Sequence, residues 1–233
     1  MTITTRAGKG SQLTHAELDT NFTDLRDGVD MLAPKEKTKG IRIDPTTPDF
    51  GWHDIIGQLH VDEDDATNKA NFATYRGSIK ARQFGATSEA FVDFHIPHDY
   101  YEGSPIYINV HWSHTSSTLT GGSVTWGMET MYAKGHDQAA FAAPVTITVA
   151  QTANTTQYQH MIAETAASTA GGSGVQLDTN LLEVDGVIQC RIYLDSNDLT
   201  DSVTVPDPFV HFVDIHYQST GLPTKSREPD FYT

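Results

Sequence analysis

From Ser78 onward, apolar and polar residues of this chain alternate in short runs bounded by Gly, Pro, Asn or Asp. A period of two is the pattern of β-strands, because successive side chains of a strand point to opposite faces of a sheet. In the clearest run, 123–133, Val124, Trp126, Met128, Thr130 and Tyr132 share one face. Nine runs are predicted strands: 78–84, 89–96, 106–112, 123–133, 145–149, 156–162, 181–184, 187–194 and 209–217.

Nine short strands with no helix between them predict a mainly β fold. Such a strand set is typical of an antiparallel sandwich, and a jelly roll is the most frequent answer at this strand count. Asp185-Gly186 is a two-residue hairpin signal, so we expect it to join strands 181–184 and 187–194. The fold class is therefore a jelly-roll-like sandwich, preceded by an extended arm and a short helical coiled-coil segment.

Before the strands, residues 14–33 carry the signature of a single helix. Thr14 and Glu17 have the spacing of a capping box, which predicts the helix start. The apolar residues then follow steps of four and three, which is the a/d pattern of a coiled coil. A helix of this length is marginal alone in water, so we expect copies of the chain to pack through Leu18, Phe22, Leu25, Val29 and Leu32.

Composition changes along the chain suggest three parts. Residues 1–13 form an extended arm with Gly8 and Gly10, and the helix follows until Pro34 ends it. We predict residues 1–40 as an N-terminal arm and oligomerising helix, 41–77 as a linker or packing segment, and 78–233 as the β-domain.

Charge and cysteine content exclude several classes of protein. The net charge of −15 opposes binding to the phosphate backbone of nucleic acids. The single cysteine, Cys190, lies in an apolar run, so a buried thiol is expected rather than an internal disulfide. No stretch of the sequence is long and apolar enough to predict insertion into a membrane, and we expect synthesis in a cytoplasm.

The eleven histidines raise the question of a metal site. Zinc needs three or four converging ligands, whereas His211 and His216 are five residues apart and are expected on opposite faces of one strand. No two histidines have the two-residue spacing that would place them on one strand face. We therefore predict no metal or cofactor, although a ring of one histidine around an oligomer axis stays open.

No motif of an enzyme stands out, and we predict that the chain is not one. A nucleophile elbow, a P-loop and a dinucleotide fingerprint are missing from the sequence. Glu129 and Asp93 are the carboxylates that a glycoside hydrolase would need, and they are more simply interpreted as solvent-facing or as subunit contacts. Aromatic residues such as Tyr101, Trp112 and Trp126 are interpreted as packing residues, with a sugar-stacking platform left open.

Three segments resemble structural proteins of tailed bacteriophage virions. The segment Lys9-Gly10-Ser11-Gln12-Leu13-Thr14-His15-Ala16-Glu17-Leu18-Asp19-Thr20-Asn21-Phe22 is similar to an N-terminal stretch of many phage fibre and tail-associated proteins, which often have Pro where this chain has Gln12. Residues 91–100, through Trp126-Gly127 and 132–135, resemble a β-rich domain of such proteins, as do residues 214–220 and the end of the chain at 231–232.

The resemblance implies a homotrimer on the virion exterior, assembled in the host cytoplasm. An N-terminal anchor, which we assign to Ile3, Lys9, Gly10, Leu13, Thr14 and Glu17, would dock residues 1–33 on a capsid, connector or tail protein. The β-domain would project outward as part of a fibre or decoration protein. The alternatives are a carbohydrate-binding module that attaches to a host surface glycan and a glycan depolymerase.

Overall fold

The chain divides into two compact units, Met1–Phe50 and Gly51–Thr233. This computed structural model describes Thr5 and residues 9–29, 34–36, 40–41, 50–65, 67–171 and 176–231. Within the described residues, no helix combines the length and the apolar character needed to cross a membrane.

The first unit contains one helix and a short strand pair. Helix α1 spans His15–Val29, and the predicted end of the helix at 30–33 lies outside the described residues. Strand β1 (Pro34–Glu36) pairs antiparallel with β2 (Gly40–Ile41).

The second unit consists of strands joined by turns and loops. In chain order its strands are β3 Gly51–Gly57, β4 Asn71–Arg76, β5 Ile79–Gln83, β6 Glu89–His95, β7 Tyr107–Ser113, β8 Leu119–Gly121, β9 Ser123–Ala133, β10 Val145–Thr152, β11 Met161–Ala166, β12 Ser168–Thr169, β13 Leu177–Asp178, β14 Val187–Asn197, β15 Thr200–Asp201 and β16 Phe209–Ser219.

These strands build two main sheets. A four-stranded sheet has the order β10-β9-β14-β6, and all of its pairs are antiparallel. A six-stranded antiparallel sheet has the order β11-β7-β16-β5-β4, with β3 also paired to β16. Two small pairs, β12–β13 and β15–β8, complete the unit.

The core lies between the two main sheets. Alternate residues are buried in several strands, as in β6, where Ala90, Val92 and Phe94 point inward. Trp126 of the four-stranded sheet contacts Trp112 of the six-stranded sheet, with ring centroids 6.0 Å apart. The predictions of a mainly β fold with antiparallel sheets and of a buried Cys190 are confirmed. Burial raises the pKa of the Cys190 thiol.

Strand positions differ from the prediction in three places. Strands β3 and β4 lie in the six-stranded sheet although they precede the predicted start of the β-domain at Ser78. The strand predicted at 156–162 forms at Met161–Ala166 instead. Residues 181–184 are turn and irregular structure, so the predicted hairpin at Asp185 does not form. Instead, the Asp185 N–H donates to the Ile96 carbonyl oxygen at 2.9 Å, and the Ile96 N–H donates to the Gly186 carbonyl oxygen at 2.8 Å.

Candidate functional site

Helix α1 begins with the predicted capping box. The Glu17 N–H donates to Thr14 Oγ1 at 3.2 Å, and the Thr14 N–H donates to Glu17 Oε2 at 2.7 Å. The Lys9 ammonium also donates to Glu17. The hydrogen bond from Lys9, followed by the hydrogen bonds from Thr14, lowers the pKa of Glu17 to about 2. The carboxylate therefore ties residue 9 to the first turn of the helix.

The apolar residues predicted to join copies of the chain lie on this helix as far as it is described. Leu18 is 37 % exposed and Phe22 is 69 % exposed. Leu25 and Val29 belong to the helix, whereas Leu32 lies outside the described residues. The coiled coil itself stays a prediction.

Among the residues predicted to anchor the chain, the structure describes all but Ile3. Lys9, Thr14 and Glu17 form the bonded group described above, and Leu13, directly before the capping box, is half-buried. Gly10 has a φ of +70°, with open space where a Cβ would lie. Docking on another virion protein also stays a prediction.

The second unit has a polar cluster on the outer face of the six-stranded sheet, the face turned away from the core. Cross-strand register places Asp214 beside Asn109 of β7 and Ile56 of β3, and places His216 beside Tyr107 and Asp54. The cross-strand registers place the following residues on this outer face: Trp52, Asp54, Tyr107, Asn109, His111, Glu164, Phe212, Asp214 and His216.

A β-bulge in β16 corrects the prediction that His211 and His216 point to opposite faces. The register shifts between Val210 and Phe212, so one extra residue enters the strand and turns His211 outward. His211 Nε2 lies 2.8 Å from Oγ of Ser113 on the outer face, where His216 also lies. The bulge therefore brings both histidines to one face.

His111 and His160 extend this histidine group. His111 Nδ1 lies 2.9 Å from His160 Nε2, and the His111 ring stacks on Phe212 with centroids 4.0 Å apart. Burial, followed by the nearby histidines, lowers the pKa of His160 and of His211. These two rings are therefore held towards their neutral form, in which an imidazole nitrogen can accept a hydrogen bond or bind a metal.

Asp214 lies at the centre of the cluster and is only 3 % exposed. Its Oδ2 is 3.3 Å from His111 Nε2 and 3.8 Å from His216 Nε2. Burial opposes ionisation of Asp214, but the neighbouring imidazoles, His111 foremost and then His216, outweigh it, so the pKa of this carboxyl lies below its usual value. Asp214 is thus a carboxylate enclosed by imidazoles.

Asp54 and Glu164 complete the cluster from the neighbouring strands. Asp54 Oδ1 on β3 lies 3.1 Å from His216 Nε2. Glu164 on β11 reaches across β7, and its Oε2 lies 3.2 Å from His216 Nδ1. Both ring nitrogens of His216 therefore face a carboxylate.

An aromatic pair borders the cluster. Trp52 on β3 is 50 % exposed, and its ring meets Tyr107 edge to face at 5.5 Å. In the register of β3 and β16, Trp52 lies opposite Gln218, two residues from His216. The outer face thus combines a half-exposed indole with carboxylate, amide and imidazole groups.

The carboxylates considered for glycoside hydrolysis lie on the other main sheet. Arg191 of β14 donates to Glu89 and, at 3.3 Å, to Glu129 Oε2. Asp93 is exposed on β6, opposite Gln189. Glu129 is therefore held in an ion pair on the outside of the four-stranded sheet.

A second group of histidines surrounds Asp185. The Nε2 atoms of His95 and His98 lie 3.1 and 2.9 Å from its Oδ1, and His136 Nε2 lies 2.9 Å from its Oδ2. Burial opposes ionisation, but the hydrogen bond from His136 and the charges of His98 and His95 prevail, so the pKa of Asp185 is lowered. These contacts connect the turn before β14 to the end of β6.

Sequence reasoning missed the cluster around Asp214. The signal was the pair Asp214 and His216, which are two residues apart on a predicted strand and therefore share a face. The spacing between histidines, on which the prediction of no metal site was based, does not include this pair. Asp54 could not be placed, because its segment was not interpreted as a strand.

Comparisons with known proteins give distant structural likenesses only. No family model matches the chain, and no curated protein matches it. The receptor-binding domain of the spike protein P1 from bacteriophage PM2 is similar at 13 % identity and a TM-score of 0.29, over 72 % of this chain and 99 % of that one. Dimeric latent PorU from Porphyromonas gingivalis is similar at 10 % identity and a TM-score of 0.27, over 72 % of this chain and 13 % of that one. A family 22 carbohydrate-binding module of Clostridium thermocellum Xyn10B is similar at 11 % identity and a TM-score of 0.22, over 73 % of this chain and 87 % of that one.

Proposed function

We propose that the chain is a structural component of a bacteriophage particle: a homotrimeric fibre or decoration protein, anchored to head or tail by its N-terminal unit. The β-domain, a jelly-roll-like sandwich, is displayed on the virion exterior. This role requires no catalytic step.

The observation that supports the proposal is the exposure of two apolar side chains, Leu18 and Phe22, on a well-capped helix. Phe22 is 69 % exposed on a helix of fifteen residues. A helix this short is barely stable without a partner, and an exposed Phe in its middle costs further free energy. Burying Phe22 against the same residue of other copies removes both costs. The resemblance of residues 9–22 to the N-terminal stretch of phage fibre proteins supports the same role.

We expect Phe22→Asp to convert the assembly into single chains, because it places charges in the shared apolar seam. Light scattering should give the mass of three chains of 25.6 kDa, about 77 kDa, for the wild-type protein and of one chain for the variant. The matched control is Phe72→Asp, which changes a Phe of similar exposure on β4 and should leave the mass unchanged.

A wild-type mass near 26 kDa at micromolar concentration would exclude the trimer. Anchoring is tested in the same system by deleting residues 1–40, which should abolish incorporation into phage particles. Normal incorporation of the deleted chain would exclude the anchor.

The exposed Trp52 favours a second function, recognition of a host surface glycan. Half-exposed indoles present a flat apolar face on which a sugar ring can stack, and the amide of Gln218, opposite Trp52 in the register, lies close enough to bind its hydroxyl groups. The β-domain would then attach the particle to its host.

We expect Trp52→Ala to weaken binding to bacterial surface polysaccharides by about tenfold, the equivalent of ~1.4 kcal/mol, because the stacking surface is lost. An array of such polysaccharides probed with wild-type protein identifies the ligand, and titration then compares the variants. Phe141→Ala, which removes an exposed aromatic ring outside the six-stranded sheet, is the control. Equal affinity of Trp52→Ala and wild type would contradict this function.

A further inference from the structure

Three side chains on the outer face of the six-stranded sheet present ligand atoms to one point. They are Asp54 from β3 and Asp214 and His216 from β16, and one donor atom of each lies within 4.8 Å of the other two. The His216 Nε2 atom is 3.1 Å from Asp54 Oδ1 and 3.8 Å from Asp214 Oδ2. Metal–ligand bonds of about 2.1 Å at tetrahedral angles separate ligand atoms by about 3.4 Å, a value between these two distances.

The surroundings of His216 match those of a metal-binding histidine. Glu164 Oε2 lies 3.2 Å from the other ring nitrogen, Nδ1. A carboxylate in that position accepts the Nδ1 proton, so that Nε2 carries a lone pair towards Asp54 and Asp214. His111 Nε2 lies 3.3 Å from the same Asp214 Oδ2.

Buried polar atoms at the same point have no hydrogen-bond partner among the described residues. Asp214, 3 % exposed, leaves its Oδ1 without one. Asn109, 0 % exposed, lies between Glu164 and Asp214 in the sheet, and neither atom of its amide forms a hydrogen bond of good geometry. Leaving buried polar groups unsatisfied is unfavourable, and a bound cation and its water ligands would offset this cost.

We propose that Asp54, Asp214 and His216 bind a divalent transition-metal ion of the Zn²⁺ type. One imidazole nitrogen among two carboxylate oxygens favours such an ion over Ca²⁺ or Mg²⁺, which take six or more oxygen ligands. Three protein ligands leave at least one position for water or for a group of a bound partner. The site lies beside Trp52, so the metal would face whatever docks on this surface.

The test is isothermal titration of the full-length protein with Zn²⁺ alone, and with Ca²⁺ in a parallel run. We expect one Zn²⁺ per chain and no comparable binding of Ca²⁺. His216→Ala and Asp54→Asn should each weaken Zn²⁺ binding at least tenfold, and Glu164→Gln should weaken it about tenfold by releasing the His216 ring. His216 and Asp54 are partly exposed, and circular dichroism verifies that the variants are folded.

The matched control is His95→Ala, which removes a histidine from the group around Asp185 and should bind Zn²⁺ like the wild type. The site is excluded if the titration shows no Zn²⁺ binding by the wild-type protein up to about 1 mM Zn²⁺. It is equally excluded if His216→Ala retains full affinity, or if His95→Ala alone abolishes binding. None of these results depends on trimer formation or on glycan recognition.

Discussion

Trp126→Ala should destabilise the β-domain by about 3–5 kcal/mol, the cost of removing a large aromatic side chain from a packed core. Trp126 is fully buried, and its ring contacts Phe84 at 5.5 Å and Trp112 at 6.0 Å between centroids. Because Trp112 belongs to the opposite sheet, the variant leaves a cavity between the two sheets. Urea unfolding followed by circular dichroism, at one protein concentration for all variants, measures the loss.

Two variants make this prediction specific. Trp126→Phe should cost less than Trp126→Ala, because it keeps most of the ring contacts and removes an indole N–H that has no partner among the described residues. Trp52→Ala should cost less than about 1 kcal/mol, because that side chain is half-exposed. Equal losses at Trp126 and Trp52 would contradict the packing of the two sheets.

Gly57→Ala should destabilise the β-domain by about 1–3 kcal/mol through overpacking. A Cβ at this position would lie 2.1 Å from Val92 Cγ2 and 2.7 Å from Phe94 Cε1. Val92 and Phe94 are almost fully buried in β6, so neither can move away without disturbing the core. The close approach of β3 to β6 therefore requires glycine, and urea unfolding again measures the effect.

The same strand provides the control. Gly51→Ala adds a Cβ with nothing within 4 Å, so its stability should stay equal or rise slightly as the unfolded chain loses freedom. Combining Gly57→Ala with Val92→Ala should cost less than the sum of the two single losses, because the smaller residue makes room for the added methyl group. Strict additivity would mean that the two side chains do not meet.

Local patterns were sufficient where one face of a strand is buried and the other is exposed. In β6 and β14 apolar residues alternate with polar ones, and the structure buries the expected residues, such as Phe94 and Ile192. The capping box of Thr14 and Glu17 was equally readable, because both of its hydrogen bonds are made within three residues.

The pattern failed for strands that do not alternate. Six of the seven residues of β3 are exposed or half-buried, and its Trp52 and Ile56 lie on the outer face although they are apolar. A strand at the edge of a sheet gains its backbone hydrogen bonds from one neighbour, here β16, and that pairing is not visible in its own residues. Asp54 was missed for this reason.

The sequence by itself determined the class of fold and the start of the helix, because alternation and capping depend on residues close together in the chain. Only the tertiary structure decided the cluster around Asp214. Its members come from β3, β7, β11 and β16, and their meeting depends on strand order and register. The bulge at His211 is a shift in the register of β16 against β7, and that register is set by a strand far away in the chain, so no local pattern contains it.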